Sequence, residues 1–149
     1  MSWKHVCVGY EIMTIPVDKV VGKERPRRGM HGIFYTPKKT QEVESAVREA
    51  WLRQCGERWK DWDEGPVRIR ISSTRQLSKS NPKYWLGKAD TMTPDWDNIG
   101  KLVSDALNKI AYSDDKLVDY ALVRKLPRTE FGTGSSIRIE VKYYREVRV

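Results

Sequence analysis

The stretch Thr93-Pro94-Asp95-Trp96-Asp97-Asn98-Ile99-Gly100-Lys101, with Asp105 behind it and Asp114-Asp115 further on, holds the residues best suited to chemistry. A helix advances about 100° per residue, so Asp97 and Lys101, four apart, share a face. Ile99, Leu102, Val103, Ala106, Leu107 and Ile110 fall at i, i+3, i+4, i+7, i+8 and i+11 and form the core-directed stripe of the same helix. The Asp97/Lys101 face is therefore turned to solvent. Thr93-Pro94 favours an extended lead-in, along which alternation puts Asp95 and Asp97 on one side and Trp96 on the other. Carboxylates brought together cannot all stay ionised cheaply unless a positive charge intervenes. A divalent cation supplies it, and oxygen-only ligands select Mg²⁺ or Mn²⁺ over zinc. The only histidines are His5 and His31, which leaves little for a zinc site or a histidine base. Acids, a hard cation and a fixed ammonium together describe metal-assisted phosphodiester hydrolysis.

The same residues also have a purely structural reading. Asp97 just ahead of a helix is a good N-cap, and acids in a first turn favour the helix dipole by about 0.3–1 kcal/mol. Lys101 and Asp105 could form an ordinary i,i+4 pair, and Ser113-Asp114-Asp115 a simple turn. Spacing alone leaves both readings open.

The 149 residues carry 28 Lys+Arg against 20 Asp+Glu, a formal charge of +8. Bases concentrate in two stretches. Lys19, Lys23, Arg25, Arg27, Arg28, Lys38 and Lys39 are opposed only by Glu24, and Arg75, Lys79, Lys83 and Lys88 only by Asp90. Pro26, Gly29, Gly32 and Pro37 break the first, Pro82 and Gly87 the second, so both read as loops. Basic loops suit a polyphosphate partner through counterion release, although a general solubility charge would look the same. The 39% hydrophobic content and six Trp exclude a disordered basic tail. No apolar run reaches membrane-span length and the start lacks a signal-peptide core, so a cytoplasmic protein is expected. Cys7 and Cys55 are too few for a disulfide framework and make no CxxC pair.

Around the acids, patterning predicts a single α+β domain over residues 1–149, in the order β-α-β-α-β-β, with a mixed sheet and two main helices. Val6, Val8, Tyr10 and Ile12 alternate in a first strand from His5 to Ile15. A first helix runs from Thr40, its N-cap, to about Cys55, stopped by Gly56. Val67, Ile69 and Ile71 form a short strand, and the acid-bearing helix spans about Asn98 to Lys109. Val118, Tyr120 and Leu122 open a further strand, and Ile137, Ile139, Val141 and Tyr143 the last. With the turn-rich Pro127 to Gly134 between them, these two read as an antiparallel hairpin.

The run Pro94-Asp95-Trp96-Asp97-Asn98, Lys101, Asp105-Ala106-Leu107 and Asp114-Asp115 resembles the RusA-type crossover junction endodeoxyribonucleases, which show P-D-x-D-N-x-x-K-x-x-x-D-A-L followed by a D-D pair. Gly22-Lys23-Glu24-Arg25-Pro26-Arg27 with Tyr35-Thr36-Pro37 is similar to that family's K-x-R-P-R and Y-T-P segment. The resemblance implies a Mg²⁺-dependent homodimer (Mn²⁺ as a substitute) that binds four-way Holliday junctions and nicks two symmetric strands in recombination and repair, associated with the nucleoid. By position it makes Asp95, Asp97 and Asp115 the metal-binding acids and Lys101 the catalytic lysine. Lys23, Arg25, Arg27, Arg28, Lys38 and Lys79 become the DNA-binding residues. Asp114 would aid the turn, Asp105 support the helix, and Asn98 cap it or orient a carboxylate. Two departures stand out: Lys116-Leu117-Val118 replaces x-Gln-Val, and Trp96 is bulkier than the family's residue there. Packing beneath the site is the expected placement for Trp96, and stacking on an unpaired base the alternative. Outside this reading, a non-catalytic basic nucleic-acid-binding module and a metal nuclease for other branched DNA, RNA or duplex are the rivals.

Overall fold

Alternation in three segments and two apolar helical stripes fold into one four-stranded sheet with helices on one face. The computed structural model describes residues 1–24, 27–29, 32, 34–35 and 38–149. In chain order the elements are β1 (Trp3–Val17), β2 (Arg27–Arg28), β3 (Phe34–Tyr35), α1 (Lys38–Gln54), β4 (Val67–Thr74), α2 (Trp96–Leu107), β5 (Val118–Lys125) and β6 (Ser135–Arg148), with short 3-10 turns at Arg58–Trp62, Lys83–Trp85 and Asp115–Leu117. The sheet order is β1-β6-β4-β5, and β2 and β3 make a separate two-stranded ribbon. The expected α+β class and element order hold. The ribbon lies within the stretch read from sequence as a basic loop.

β6 is antiparallel to both β1 and β4, from Trp3↔Arg148 to Val17↔Ser135 and from Val67↔Tyr143 to Thr74↔Ser136. β5 runs parallel to β4, from Val67↔Val118 to Ser73↔Lys125. The hairpin expected between β5 and β6 is therefore not formed, because β4 lies between them. α2 is the crossover that brings β5 back parallel to β4. The connection after β5 then crosses the end of β4, where Leu126 N donates to Ser73 O (2.8 Å) and Leu77 N to Thr129 O (2.8 Å). That path delivers β6 to the far side of β4.

The core lies between the helices and one sheet face. Met13, Ile15, Val67, Ile69, Ile71, Ile137, Ile139, Val141 and Tyr143 point into it, against Val47, Ala50 and Trp51 of α1 and Ile99, Leu102, Val103, Ala106 and Leu107 of α2. The apolar stripe read for α2 is fully buried. In β1 the phase is reversed: Val6, Tyr10 and Ile12 are exposed, while Glu11, Met13 and Ile15 face inward. A register shift between Cys7 and Gly9 changes which positions face the helices. Buried Glu11 is held by both Arg58 guanidinium nitrogens, at 2.9 and 2.7 Å. Gly9 leaves room for the Trp62 ring, which would lie 2.2 Å from a Cβ there.

The helix boundaries also shift. α1 begins at Lys38, so Thr40 is inside the helix and buried rather than its N-cap. Gly56, at φ +62°, ends the helix as expected, with its N–H donating to Trp51 O and Leu52 O. No helix of the described residues is long and apolar enough to cross a membrane.

Candidate active site

α2 starts at Trp96, two residues earlier than its pattern suggested, which makes Asp95 its N-cap and places Asp97 in the first turn. The lead-in contains a cis Thr93–Pro94 bond. Because Asp97 is helical, strand-like alternation does not govern this segment. Trp96 and Asp97 line the same groove instead of facing opposite ways.

That groove, about 330 Å³, lies between α2 and β5. Asp97, Gly100 and Ser104 form its helical wall, Asp115, Val118, Ala121 and Val123 the opposite wall, and Ile69 and Ile71 its floor. Gly100 matters here, since a Cβ would sit 2.9 Å from Val123 Cγ2. Trp96 is 63% exposed. It stands at the rim of the groove and does not pack beneath the site, so its expected placement is corrected.

Asp115 lies beside Asp105 and the buried Tyr112. Partial burial pushes its carboxyl above the usual range, and the Asp105 and Asp114 charges add to that against the opposing Tyr112 hydroxyl. Tyr112 is itself raised, by burial and then by the Asp115 charge. Asp114 accepts from Lys116 N (2.9 Å) and caps the 3-10 turn that presents Asp115. Asp95, although at the N-cap position, makes no side-chain capping bond, so its carboxylate is not committed to the helix. Asn98 gives its carbonyl to Lys23 N (2.8 Å).

Lys101 is exposed at the middle of the solvent face of α2. About 100° per residue puts Asp97 and Ser104 on one flank of it and Asn98 and Asp105 on the other. The second flank is occupied by the segment before β2. Gly22 crosses the start of α2, where a Cβ would lie 2.8 Å from both Asn98 and Pro94. The next residue, Lys23, places Nζ 2.5 Å from Glu44 Oε1 and 3.2 Å from Asp105 Oδ2. Burial pulls its ammonium down, but the hydrogen bonds to Glu44 and Asp105 outweigh that and leave it above the ordinary lysine range.

The carboxylates fit a hard cation in kind: all donors are oxygens, and like charges crowd Asp115. Their spacing is not that of a closed ligand shell. Among the described residues, no three His, Cys, Asp or Glu side chains are gathered as a metal centre. Asp97 and Asp115 share the groove, while Asp95 stands at its approach.

Of the bases expected to hold DNA, Lys38 is exposed and 3.9 Å from Glu42, Arg28 is exposed, and Lys79 lies over the Phe131 ring at 5.9 Å. Lys23 is mostly buried and bound to two acids. Arg25 lies outside the described residues, as does the side chain of Arg27. Within the second basic stretch, Arg75 is bound to buried Asp90 at 3.0 Å and donates to Thr93 O at 2.7 Å. It braces the loop that leads to Asp95.

The family of Endodeoxyribonuclease RusA matches residues 18–142, from the segment crossing α2 into the middle of β6. The chain belongs to the RusA family. Membership brings endodeoxyribonuclease activity of the kind that resolves Holliday junctions, in a family generally dependent on divalent metal. No curated protein matches the chain. Within this RusA chain, sequence reasoning did not pick out Ser104, Tyr112 or Glu44 as neighbours of the acids. Tyr112 carried a usable signal, a tyrosine just ahead of the acidic pair. Glu44 carried none, because an acid at a helical position reads as solvent-facing.

Proposed function

We propose that this chain is a divalent-metal-dependent resolvase of four-way DNA junctions, acting in recombination and repair as a homodimer. The observation that supports it best is the sharing of one groove by Asp97 and Asp115, carboxylates from separate elements, beside the exposed ammonium of Lys101. Asp95, Asp97 and Asp115 would hold Mg²⁺, with Mn²⁺ as a substitute. When bound, the ion polarises the scissile phosphate and lowers the pKa of water. Lys101 stabilises charge developing on the phosphoryl oxygens. Asp114 keeps Asp115 in place by capping its turn, and Lys23 binds Asp105. Arg25, Arg27, Arg28, Lys38 and Lys79 would take backbone phosphates, which position a duplex without reading its sequence. Branch shape then supplies recognition. Two copies related by a twofold axis match the near-twofold symmetry of a junction and its paired cuts.

The test is cleavage of a synthetic junction with Mg²⁺ against EDTA, with a linear duplex of the same sequence as competitor. Paired, religatable nicks with Mg²⁺ are expected, and Asp97→Asn should bind the junction without cutting it. Equal preference for linear duplex would reject the branch specificity, and cutting in EDTA would reject the metal.

A further inference from the structure

Outside the acid-lined groove, two cavities share a wall made by Leu77, Ser78 and Asn81. The larger, about 400 Å³, has apolar sides from Leu77, Leu86 and Phe131, with Lys79, Lys83 and one acid, Glu130, as its charged residues. Leu86 and Phe131 are 56% and 50% exposed, so the apolar surface is open to a ligand. The smaller, about 250 Å³, has a mixed lining in which Arg128, Arg75 and Lys19 stand beside Val20, Leu77 and Met92, with Asp18 as its acid.

Arg128 is 94% buried by its 6% exposure. Its guanidinium meets only neutral groups: Asn81 Oδ1 at 3.0 Å, Gln76 O at 3.4 Å and Met92 Sδ at 3.4 Å. Its Nε has no hydrogen-bond partner, and no ion pair among the described residues includes it. The nearby buried carboxylate, Asp90, is taken by Arg75 at 3.0 Å and Lys125 at 4.0 Å. A buried cation is costly unless an anion or full hydrogen bonding compensates it, so Arg128 lacks a partner that the fold does not provide.

The walls are preformed. Gln76 Oε1 accepts from Gly132 N and Gly134 N, both at 2.9 Å. Asn81 Oδ1 also accepts from Ser78 N at 2.8 Å, and Arg128 N donates to Lys88 O at 2.8 Å. The two cavities thus stand side by side without rearrangement, one apolar with an aromatic wall and one holding an uncompensated guanidinium. A nucleotide has the same two parts.

We propose that these cavities form a site for one unpaired DNA nucleotide, its base against Phe131 and its phosphate on Arg128. The inference rests on DNA being the partner. Met92, in the phosphate cavity, leads directly into Thr93, Pro94 and Asp95, so the nucleotide is held beside the approach to the proposed catalytic acids. A base freed from its stack at a branch point supplies this ligand.

The test uses the full chain in EDTA, with fluorescence anisotropy of a short labelled oligothymidine. Phe131→Ala should weaken binding about tenfold, through loss of base–aromatic stacking, while Lys4→Ala on β1 leaves it within twofold. Because Arg128→Gln can perturb folding, the phosphate half is read in the wild-type protein by NMR. Thymidine monophosphate and inorganic phosphate should both shift the Arg128 Nε–H resonance, and thymidine should shift only the Phe131 ring. An unchanged affinity in Phe131→Ala, or an Arg128 Nε–H indifferent to phosphate, overturns the site. Neither readout involves a junction or a cut, so failure of the resolvase reading would show separately, in the cleavage assay.

Discussion

Replacing Lys23 by Met separates a structural cation from a DNA-contacting one. Its ammonium is bound to Glu44 and Asp105, and the Lys23 and Glu44 side chains are only 17% and 10% exposed. Removing one partner of a fully buried pair costs about 3–5 kcal/mol, mostly from the charge left behind. Asp105 retains 35% exposure and Arg48 still stands 3.6 Å from Glu44, which lowers the expectation to about 2–3 kcal/mol. For a domain of this length that corresponds to a fall in Tm of roughly 5–10 °C. The sign with pH follows from the raised Lys23 pKa. Stabilisation is fully present below the unfolded lysine value and is lost as pH rises through the higher folded one. Lys23→Met lacks that stabilisation at every pH, so its Tm deficit against wild type should narrow as pH rises through the folded Lys23 value. Thermal melts across pH, paired with junction binding well below Tm, measure both effects. An unchanged Tm together with a salt slope of binding reduced by about one would show that Lys23 contacts phosphate and that its ion pairs do not stabilise the fold.

Asp115→Asn should abolish junction cutting while keeping binding within a few-fold, as measured by gel shift and cleavage on one preparation. Asp95→Asn should do the same with no loss of Tm, because its carboxylate makes no capping bond; a drop of several degrees would mean that it serves the helix. Burial, with Glu11 beside it, pushes the Cys55 thiol up to about 12, so at pH 8 iodoacetamide should label exposed Cys7 and spare Cys55 until the protein unfolds, as read by mass spectrometry. Gly9→Ala forces a methyl into the Trp62 ring and should cost about 1–3 kcal/mol in chemical denaturation, the usual range for overpacking.

The sequence carried what is local. The α2 stripe could be read because each of its apolar positions meets the core, and the acids could be read because they lie at fixed offsets from that stripe. Strand partners could not. Val118, Tyr120 and Leu122 alternate in the same way whether β5 pairs with β6 or with β4, and only the crossover through α2 decides. The phase of β1 was hidden because both its faces carry apolar residues, and because Glu11, a charge that marks an outer position in sequence, is carried inside by Arg58. The resemblance makes Lys23 a DNA-binding residue by position, while the acids that bind it come from α1 and α2, far along the chain. Trp96 departs from strand alternation for a related reason: the backbone is already helical where it stands.

The position of β6 has a consequence for when this nuclease can act. It is translated after β1, β4 and both helices, yet it is the strand that joins β1 to β4. Until it emerges, the nascent chain has no Ile137, Ile139, Val141 or Tyr143 to close the core against α1 and α2, and such distant pairings form slowly. The sheet beneath the acid-lined groove is therefore completed only after the ribosome has made β6, so a partly synthesised chain holds its basic segments before it holds a finished groove.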